Sequence, residues 1–439
     1  MAFSIHGIHV PHRKNTQNDL PRRLDTPKTV AIPMSMHIGA PSKPTVKVGD
    51  TVKIGTRIAE PGGFVSVPSY ASVSGKVTKI IDLATSNGGS MSAIVVESDG
   101  ENTVDESVKA PEINSREEFV EAVRQSGIVG LGGAGFPTHV KLAADPSRIE
   151  YLIINGAECE PYVTSDTYTM VNRGEDMKAG LEALHKHLGI KTVIFGIEEN
   201  KKAAIKAVRS LAATISSELS VSVKVLPSIY PQGGEKVLIF NTTGRAVPTG
   251  KLPIDVGCVV LNCTTLAEIG NYMRTGMPLV EKCVTVDGGA VSQPQNIIAP
   301  IGTRICELFE ACGGFKTEPE KVLYGGPMMG IAIPDLELPI MKNTNMVLAL
   351  TEKEAKVPKT TACIRCGSCT NSCPFGIAPA AIARAYENKD AVNLDELCVN
   401  TCMECGCCSF VCPANRPLVQ TNKLAKAFLR DEKAKEGKK

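Results

Sequence analysis

Eight cysteines of this 439-residue chain fall into two copies of one spacing, Cys363-x2-Cys366-x2-Cys369-x3-Cys373-Pro374 and Cys402-x2-Cys405-x2-Cys408-x3-Cys412-Pro413. Three thiolates stepping by three, with a fourth just before proline, can wrap a four-iron cubane, and in proteins with two such runs the fourth cysteine ligates the other run's cluster. The spacing assigns Cys363, Cys366, Cys369 and Cys412 to one [4Fe-4S] cluster, and Cys402, Cys405, Cys408 and Cys373 to a second. The implied chemistry is single-electron transfer. Zinc ordinarily takes two separated Cys-x2-Cys pairs, which fits this pattern poorly. A disulfide framework belongs to short secreted chains, and the opening MAFSIHGIHVPHRKN lacks the apolar run of a signal peptide, so a reducing compartment is expected. Cys407 would leave the wrong gap to Cys412, and Cys398 falls outside the repeat. Cys159, Cys258, Cys263, Cys283, Cys306 and Cys312 have no ligand spacing and read as packing residues.

A second chemical segment is Gly130-Leu131-Gly132-Gly133-Ala134-Gly135-Phe136-Pro137-Thr138, with Lys141 close behind. Glycines at this density let backbone N–H groups approach an anionic or flat ligand without Cβ obstruction. It departs from the dinucleotide fingerprint, because Thr138 stands where the third glycine belongs and no strong strand precedes it. The next apolar run, YLIIN, ends in Asn155-Gly156-Ala157-Glu158-Cys159-Glu160-Pro161, and the carboxyl end of a strand is where α/β sheets hold ligands. The same residue types also make ordinary solvated loops.

These segments must be positioned by several domains, since 439 residues exceed what one core supports. Residues 1–36 read as an extended arm; its His6, His9 and His12 lack the acidic or cysteine companions of a metal site. Residues 37–110 are strand and turn, with Val46, Val48, Val52 and Ile54 alternating with polar residues, and they resemble the barrel-sandwich hybrid of biotinyl and lipoyl carrier domains. No lysine lies between Phe64 and Gly75, where a carrier would present its acceptor, so the module reads as scaffold despite Lys76. Residues 111–278 alternate strands (151–154, 192–195, 221–226, 258–261) with helices (174–188, 200–211), the order of a mostly parallel, Rossmann-like α/β sheet. Residues 279–345 resemble a β-grasp module, 346–430 read as a helical double-cluster ferredoxin domain, and 431–439 as a charged tail. The fold class expected is multidomain α/β.

Composition removes several function classes. A net charge of +2 is too near neutral for a nucleic-acid protein, and no tryptophan with 4% aromatics leaves no stacking platform for single strands. Charged residues break every apolar run short of the roughly 18 residues that cross a bilayer.

GLGGAGFPTHVK followed by NGAECEP, then Tyr230-Pro231-Gln232-Gly233-Gly234-Glu235 and Leu261-Asn262-Cys263-Thr264-Thr265-Leu266, resembles in order the flavin and NADH loops of the NADH-binding flavoprotein subunit of respiratory complex I. With HIGAPSKPTVKVGD near the start, the GGPMMG turn at 325–330 and the double cysteine run, the whole chain resembles the RnfC family, a component of the Rnf complexes. That resemblance implies FMN against Gly132, Gly133, Ala134 and Gly135, with Lys141, Asn155, Glu158, Asn262 and Thr265 also binding it. It implies NADH contacts from Phe136, Glu160, Tyr230 and Glu235. Ala157 and Gly234 stand where the complex I flavoprotein has acids. The cofactors expected are FMN, NAD(H) and two [4Fe-4S] clusters, with no acid–base residue needed for hydride exchange. The expected role is the NAD(H)-reacting subunit of an ion-translocating ferredoxin:NAD oxidoreductase, peripheral on the cytoplasmic side of a membrane and docked on integral and ferredoxin-reacting subunits. A soluble cobalamin reductase of microcompartments shares the motifs, and a non-catalytic electron-transfer adaptor would keep only the clusters.

Overall fold

The computed structural model describes residues 7–85 and 88–436. His6 and the last three residues of the charged tail lie outside them.

Two small sheets form the first module: Thr29–Pro33, Ser90–Ser98, Gly75–Ala84 and Thr51–Val52 in that order, and Lys43–Pro44, Arg57–Glu60 and Ser69–Tyr70. Their inward residues, Val30, Ile32, Ile58, Val77, Ile94 and Val96, are buried, as period-two strands with one covered face require. Behind them lies an all-parallel sheet in the order Ser220–Leu226, Thr192–Glu198, Tyr151–Gly156, Cys258–Asn262. Strands such as Leu152–Ile154 and Val259–Leu261 are buried on both faces, which explains their unbroken apolar runs.

Two of the covering helices, Gly174–Leu188 and Cys263–Thr275, cross closely, and each ends at a left-handed glycine, Gly189 (φ 65°) and Gly276 (φ 74°). On the first, Met177, Gly180, Leu181, Leu184 and Leu188 make the buried stripe at helical spacing.

The third module is a mixed six-stranded sheet in the order Arg22–Arg23, Gln295–Pro300, Glu281–Asp287, Met346–Leu350, Lys321–Tyr324, Ile331–Ile333, with the helix Ile305–Ala311 packed into its core. An interior strand is thus drawn from beyond residue 345 and an edge strand from the N-terminal arm. The arm also supplies Thr29–Pro33 to the first module, and Ile8 exchanges two backbone hydrogen bonds with Tyr230. It is not a free extension.

The C-terminal domain is helical and internally repeated. Short helices Ser368–Asn371 and Cys407–Phe410, and longer ones starting at Pro379 and Leu418, recur at the same 39-residue offset as the cysteine runs (363 to 402). Left-handed residues recur with them: Arg365 and Glu404, Gly367 and Gly406, Gly376 and Asn415. The repeat therefore extends from sequence to backbone conformation.

Candidate functional site

The parallel sheet adds its second and third strands on one side of Tyr151–Gly156 and its fourth, Cys258–Asn262, on the other. Crevices in such sheets open at this reversal, outside the carboxyl ends of the strands. Asn155 and Asn262 stand there as register partners. Asn262 also caps the following helix: its side-chain oxygen accepts from the N–H groups of Thr264 (2.9 Å) and Thr265 (3.2 Å), and its amide donates to Asp166 Oδ2 at 2.7 Å. Thr264 Oγ1 donates to the other Asp166 oxygen at 2.7 Å.

The glycine-rich turn lies on this cap. Leu131 N donates to Thr265 Oγ1 at 2.9 Å, and a Cβ on Gly132 would stand 2.8 Å from the Asn262 amide nitrogen. A Cβ on Gly133 would meet nothing within 4 Å, and Gly132, Gly133 and Ala134 are exposed. Gly135 needs its glycine, with φ +68° and the Met36 carbonyl 3.3 Å from a built Cβ. The result is an open run of backbone beside a capped helix start, a shape that suits an anionic cofactor.

Asn155 donates to Gly233 O at 2.9 Å, tying the strand end to the 230–235 loop. Lys141 lies across the strand Cys258–Asn262, donating to Val260 O (3.1 Å) and pairing with Glu235 (2.6 Å). Glu158 is buried, accepting from Asp166 N (2.8 Å) and Thr167 Oγ1 (2.7 Å), and burial pushes its carboxyl above the ordinary range. Glu160 accepts from the amides of Met328 (3.1 Å) and Met329 (2.8 Å) in the 325–330 turn; burial still pushes its pKa up to about 7, against those hydrogen bonds. Tyr230 is buried, its hydroxyl donating to Cys405 O at 2.7 Å with Glu160 Oε1 at 3.4 Å. Phe136 is half-buried, and its carbonyl accepts from Gly130 N.

The structure therefore gathers Gly132, Asn262 and Thr265 in one set of contacts and Glu160 and Tyr230 in another, while Asn155 is bound to the 230–235 loop and the Lys141–Glu235 pair to the strand Cys258–Asn262. Sequence reasoning did not anticipate the Tyr230–Cys405 hydrogen bond, because it joins residues 175 apart.

In the C-terminal domain Cys373, Cys402, Cys405, Cys407 and Cys408 line one cavity together with Met403 and Asn422. Asn422 Nδ2 donates to Cys402 Sγ at 3.4 Å. Cys369 and Cys412 pack with Cys408 and Ala383 in an apolar cluster, while Cys363 and Cys366 are exposed. Among the described residues no three His, Cys, Asp or Glu converge as a single metal ion would require. Four of the five cysteines lining the cavity, Cys373, Cys402, Cys405 and Cys408, are the thiols that the spacing assigns to one cluster. Cys407, off the ligand pattern, is buried with its thiol toward Tyr230 O at 3.9 Å, and Cys398 is exposed. Of the upstream cysteines, Cys258, Cys263 and Cys312 are buried, and Cys159, Cys283 and Cys306 half-buried. His9 and His12 join no cluster able to hold a metal among the described residues.

Over 382 residues, 86% of each chain, the sequence is 44% identical to the C component of the Na(+)-translocating ferredoxin:NAD(+) oxidoreductase complex of Acetobacterium woodii. The chain belongs to the RnfC family. The C component of the ion-translocating oxidoreductase complex of Rhodobacter capsulatus is 37% identical over 444 residues, covering 99% of this chain and 85% of that one. Within this RnfC chain the residues match an RnfC barrel sandwich hybrid domain (3–101), a Nuo51 FMN-binding domain (123–271), an SLBB domain (283–332) and a 4Fe-4S dicluster domain (362–416). A solved NAD+-reducing [NiFe]-hydrogenase in the air-oxidized state aligns with a TM-score of 0.48 and 19% identity, covering 72% of this chain and 53% of that chain. The FMN-binding match spans Asn155 and Asn262, and the dicluster match spans both cysteine runs. No described helix is long and apolar enough to cross a membrane.

Proposed function

We propose that this chain is the NAD(H)-reacting subunit of a membrane-bound, ion-translocating ferredoxin:NAD oxidoreductase, held at the cytoplasmic face by integral and ferredoxin-reacting partner subunits. FMN supplies the step between a two-electron hydride and one-electron carriers, and the two [4Fe-4S] clusters supply the one-electron relay. Gly132, Gly133, Ala134 and Gly135 present backbone N–H groups to the flavin, with Asn262 and Thr265 toward its phosphate and Lys141, Asn155 and Glu158 along the crevice wall. Phe136, Glu160, Tyr230 and Glu235 form the NADH side. Cys402, Cys405, Cys408 and Cys373 hold one cluster; Cys363, Cys366, Cys369 and Cys412 hold the other. The six segments assigned from sequence, 1–36, 37–110, 111–278, 279–345, 346–430 and 431–439, serve as working domain limits, with the third module's sheet crossing the limit at 345. Ion translocation belongs to the assembled complex.

The observation that carries this reading is the Tyr230 hydroxyl on Cys405 O at 2.7 Å, which fastens a nucleotide-side loop directly to a cluster-ligand residue. Electron transfer between two cofactors depends on a short, fixed separation, and a buried hydrogen bond between their carriers fixes one. The test is anaerobic reconstitution with iron, sulfide and FMN, followed by NADH. Flavin bleaching together with EPR signals of two reduced clusters is expected; loaded protein whose flavin stays oxidised under NADH defeats the proposal.

A further inference from the structure

Three lysines that the proposed reaction does not use reach into the crevice's supports from other modules. Lys14, on the N-terminal arm, donates to the carbonyls of Glu158 (2.8 Å), Glu160 (2.7 Å) and Val163 (2.7 Å). Lys282, on a strand of the six-stranded sheet, donates to Leu131 O at 2.9 Å. Lys342, just before the interior strand of that sheet, donates to Gly127 O and Pro68 O, both at 2.8 Å, and its neighbour Asn343 donates to Gly133 O at 2.8 Å. Lys282 and Lys342 are buried side chains.

Taking an ammonium group out of water is costly unless its protons find acceptors, so a buried lysine persists where what it bonds matters to the fold or the site. Here the acceptors are not scattered. Every one except Pro68 O belongs to a loop that bears proposed cofactor residues or to the backbone leading into it: 127–133 for the glycine-rich turn, 158–163 for the acidic loop. Both loops contain carbonyls that no helix or strand satisfies, and an ammonium with three donors on a long stem can collect several of them at once. Burial depresses the pKa of all three, with Lys14 and Lys282 each brought down to about 8 and Lys342 to about 7.

We propose that Lys14, Lys282 and Lys342 are positioning residues for the flavin site, gathering the carbonyls of the glycine-rich and acidic loops so that the crevice takes its binding shape only when the arm and the six-stranded sheet are docked on the α/β domain. This rests on the assignment of FMN to that crevice. The lysines touch loop backbone, and their influence on the cofactor passes through it.

The full-length chain is prepared with FMN removed, and the dissociation constant for added FMN is read from quenching of flavin fluorescence. Lys14→Met and Lys282→Met keep the stem and remove the donors; each is expected to weaken FMN binding at least tenfold while far-UV circular dichroism stays that of the parent. Amide hydrogen exchange at 130–136 should accelerate in Lys282→Met, and at 157–164 in Lys14→Met, each variant loosening its own loop. Should Lys282→Met fail to fold, Lys14→Met, whose side chain is half-buried, carries the test alone. Folded variants that bind FMN as tightly as the parent, with unchanged exchange in both loops, overturn the proposal. A parent chain that binds no FMN overturns the assignment of the crevice as well, and the two failures are told apart by the parent alone.

Discussion

Gly270→Ala tests the packing that carries the Asn262 cap. The helices Gly174–Leu188 and Cys263–Thr275 cross where Gly180 faces Gly270. A Cβ at position 270 would stand 1.8 Å from Asp176 O and 2.6 Å from Gly180 N, and one at position 180 would stand 2.5 Å from Leu266 O. All three are backbone atoms, so no rotamer change relieves the overlap. Because a comfortable carbon–oxygen contact is about 3.3 Å, the helices must separate by about 1.5 Å. Propensity alone makes alanine better than glycine in a helix by about 1 kcal/mol. Overpacking costs about 1–3 kcal/mol, and opening the seam between Met177, Leu181, Leu184 and Leu266 forfeits a further part of their dispersion contacts. The packing effect wins, and a net loss of about 2 kcal/mol is expected. The shift would also carry Asn262, Thr264 and Thr265, at the start of the second helix, away from the glycine-rich turn, so FMN affinity should fall with stability. The assay is urea unfolding followed by circular dichroism. Gly174→Ala is the control, since a Cβ there meets nothing within 4 Å; it should match the parent or slightly exceed it. A Gly270→Ala protein as stable as the parent would refute the close crossing.

Glu160 gives a pH prediction. Its folded pKa of about 7 lies above the ordinary 4.5, so between those values the native state holds a proton that the unfolded chain has released. Its contribution is present below about pH 4.5 and is lost as pH rises through 7, amounting to about 3 kcal/mol from the shift. Glu160→Gln should flatten that part of the stability profile in urea titrations at pH 5, 6 and 7; an unchanged slope would count against the buried carboxyl. Among the cysteines, Cys373→Ser should disturb the same EPR signal as Cys402→Ser, whereas Cys412→Ser should disturb the signal that Cys363→Ser does. Pairing by run instead of across runs would show Cys373 grouping with Cys363. Cys407→Ser should keep the iron content of the parent.

The first, second and fourth strands of the parallel sheet, the long helix at 174–188 and the cysteine repeat were legible because each is written locally. Doubly buried strands need continuous apolar runs, a half-covered helix needs its stripe, and the cluster runs need a fixed spacing. The N-terminal arm was not legible. Its Ile8, Lys14 and Thr16 bond to Tyr230, to Glu158–Val163 and to Thr164, more than 140 residues away, and they satisfy single backbone or hydroxyl groups, which leaves no periodic trace.

Sequence by itself determined which residue types could hold iron and flavin and in what chain order, since thiolate spacing and glycine density act within a few residues. Only the tertiary structure decided that Tyr230 would reach Cys405, that Asn155 and Asn262 would meet across a strand pair, and that lysines from two other modules would support the loops between them. Those contacts depend on how separately specified elements dock, and docking is set by the summed burial and hydrogen bonding of surfaces whose partners lie far apart in the chain.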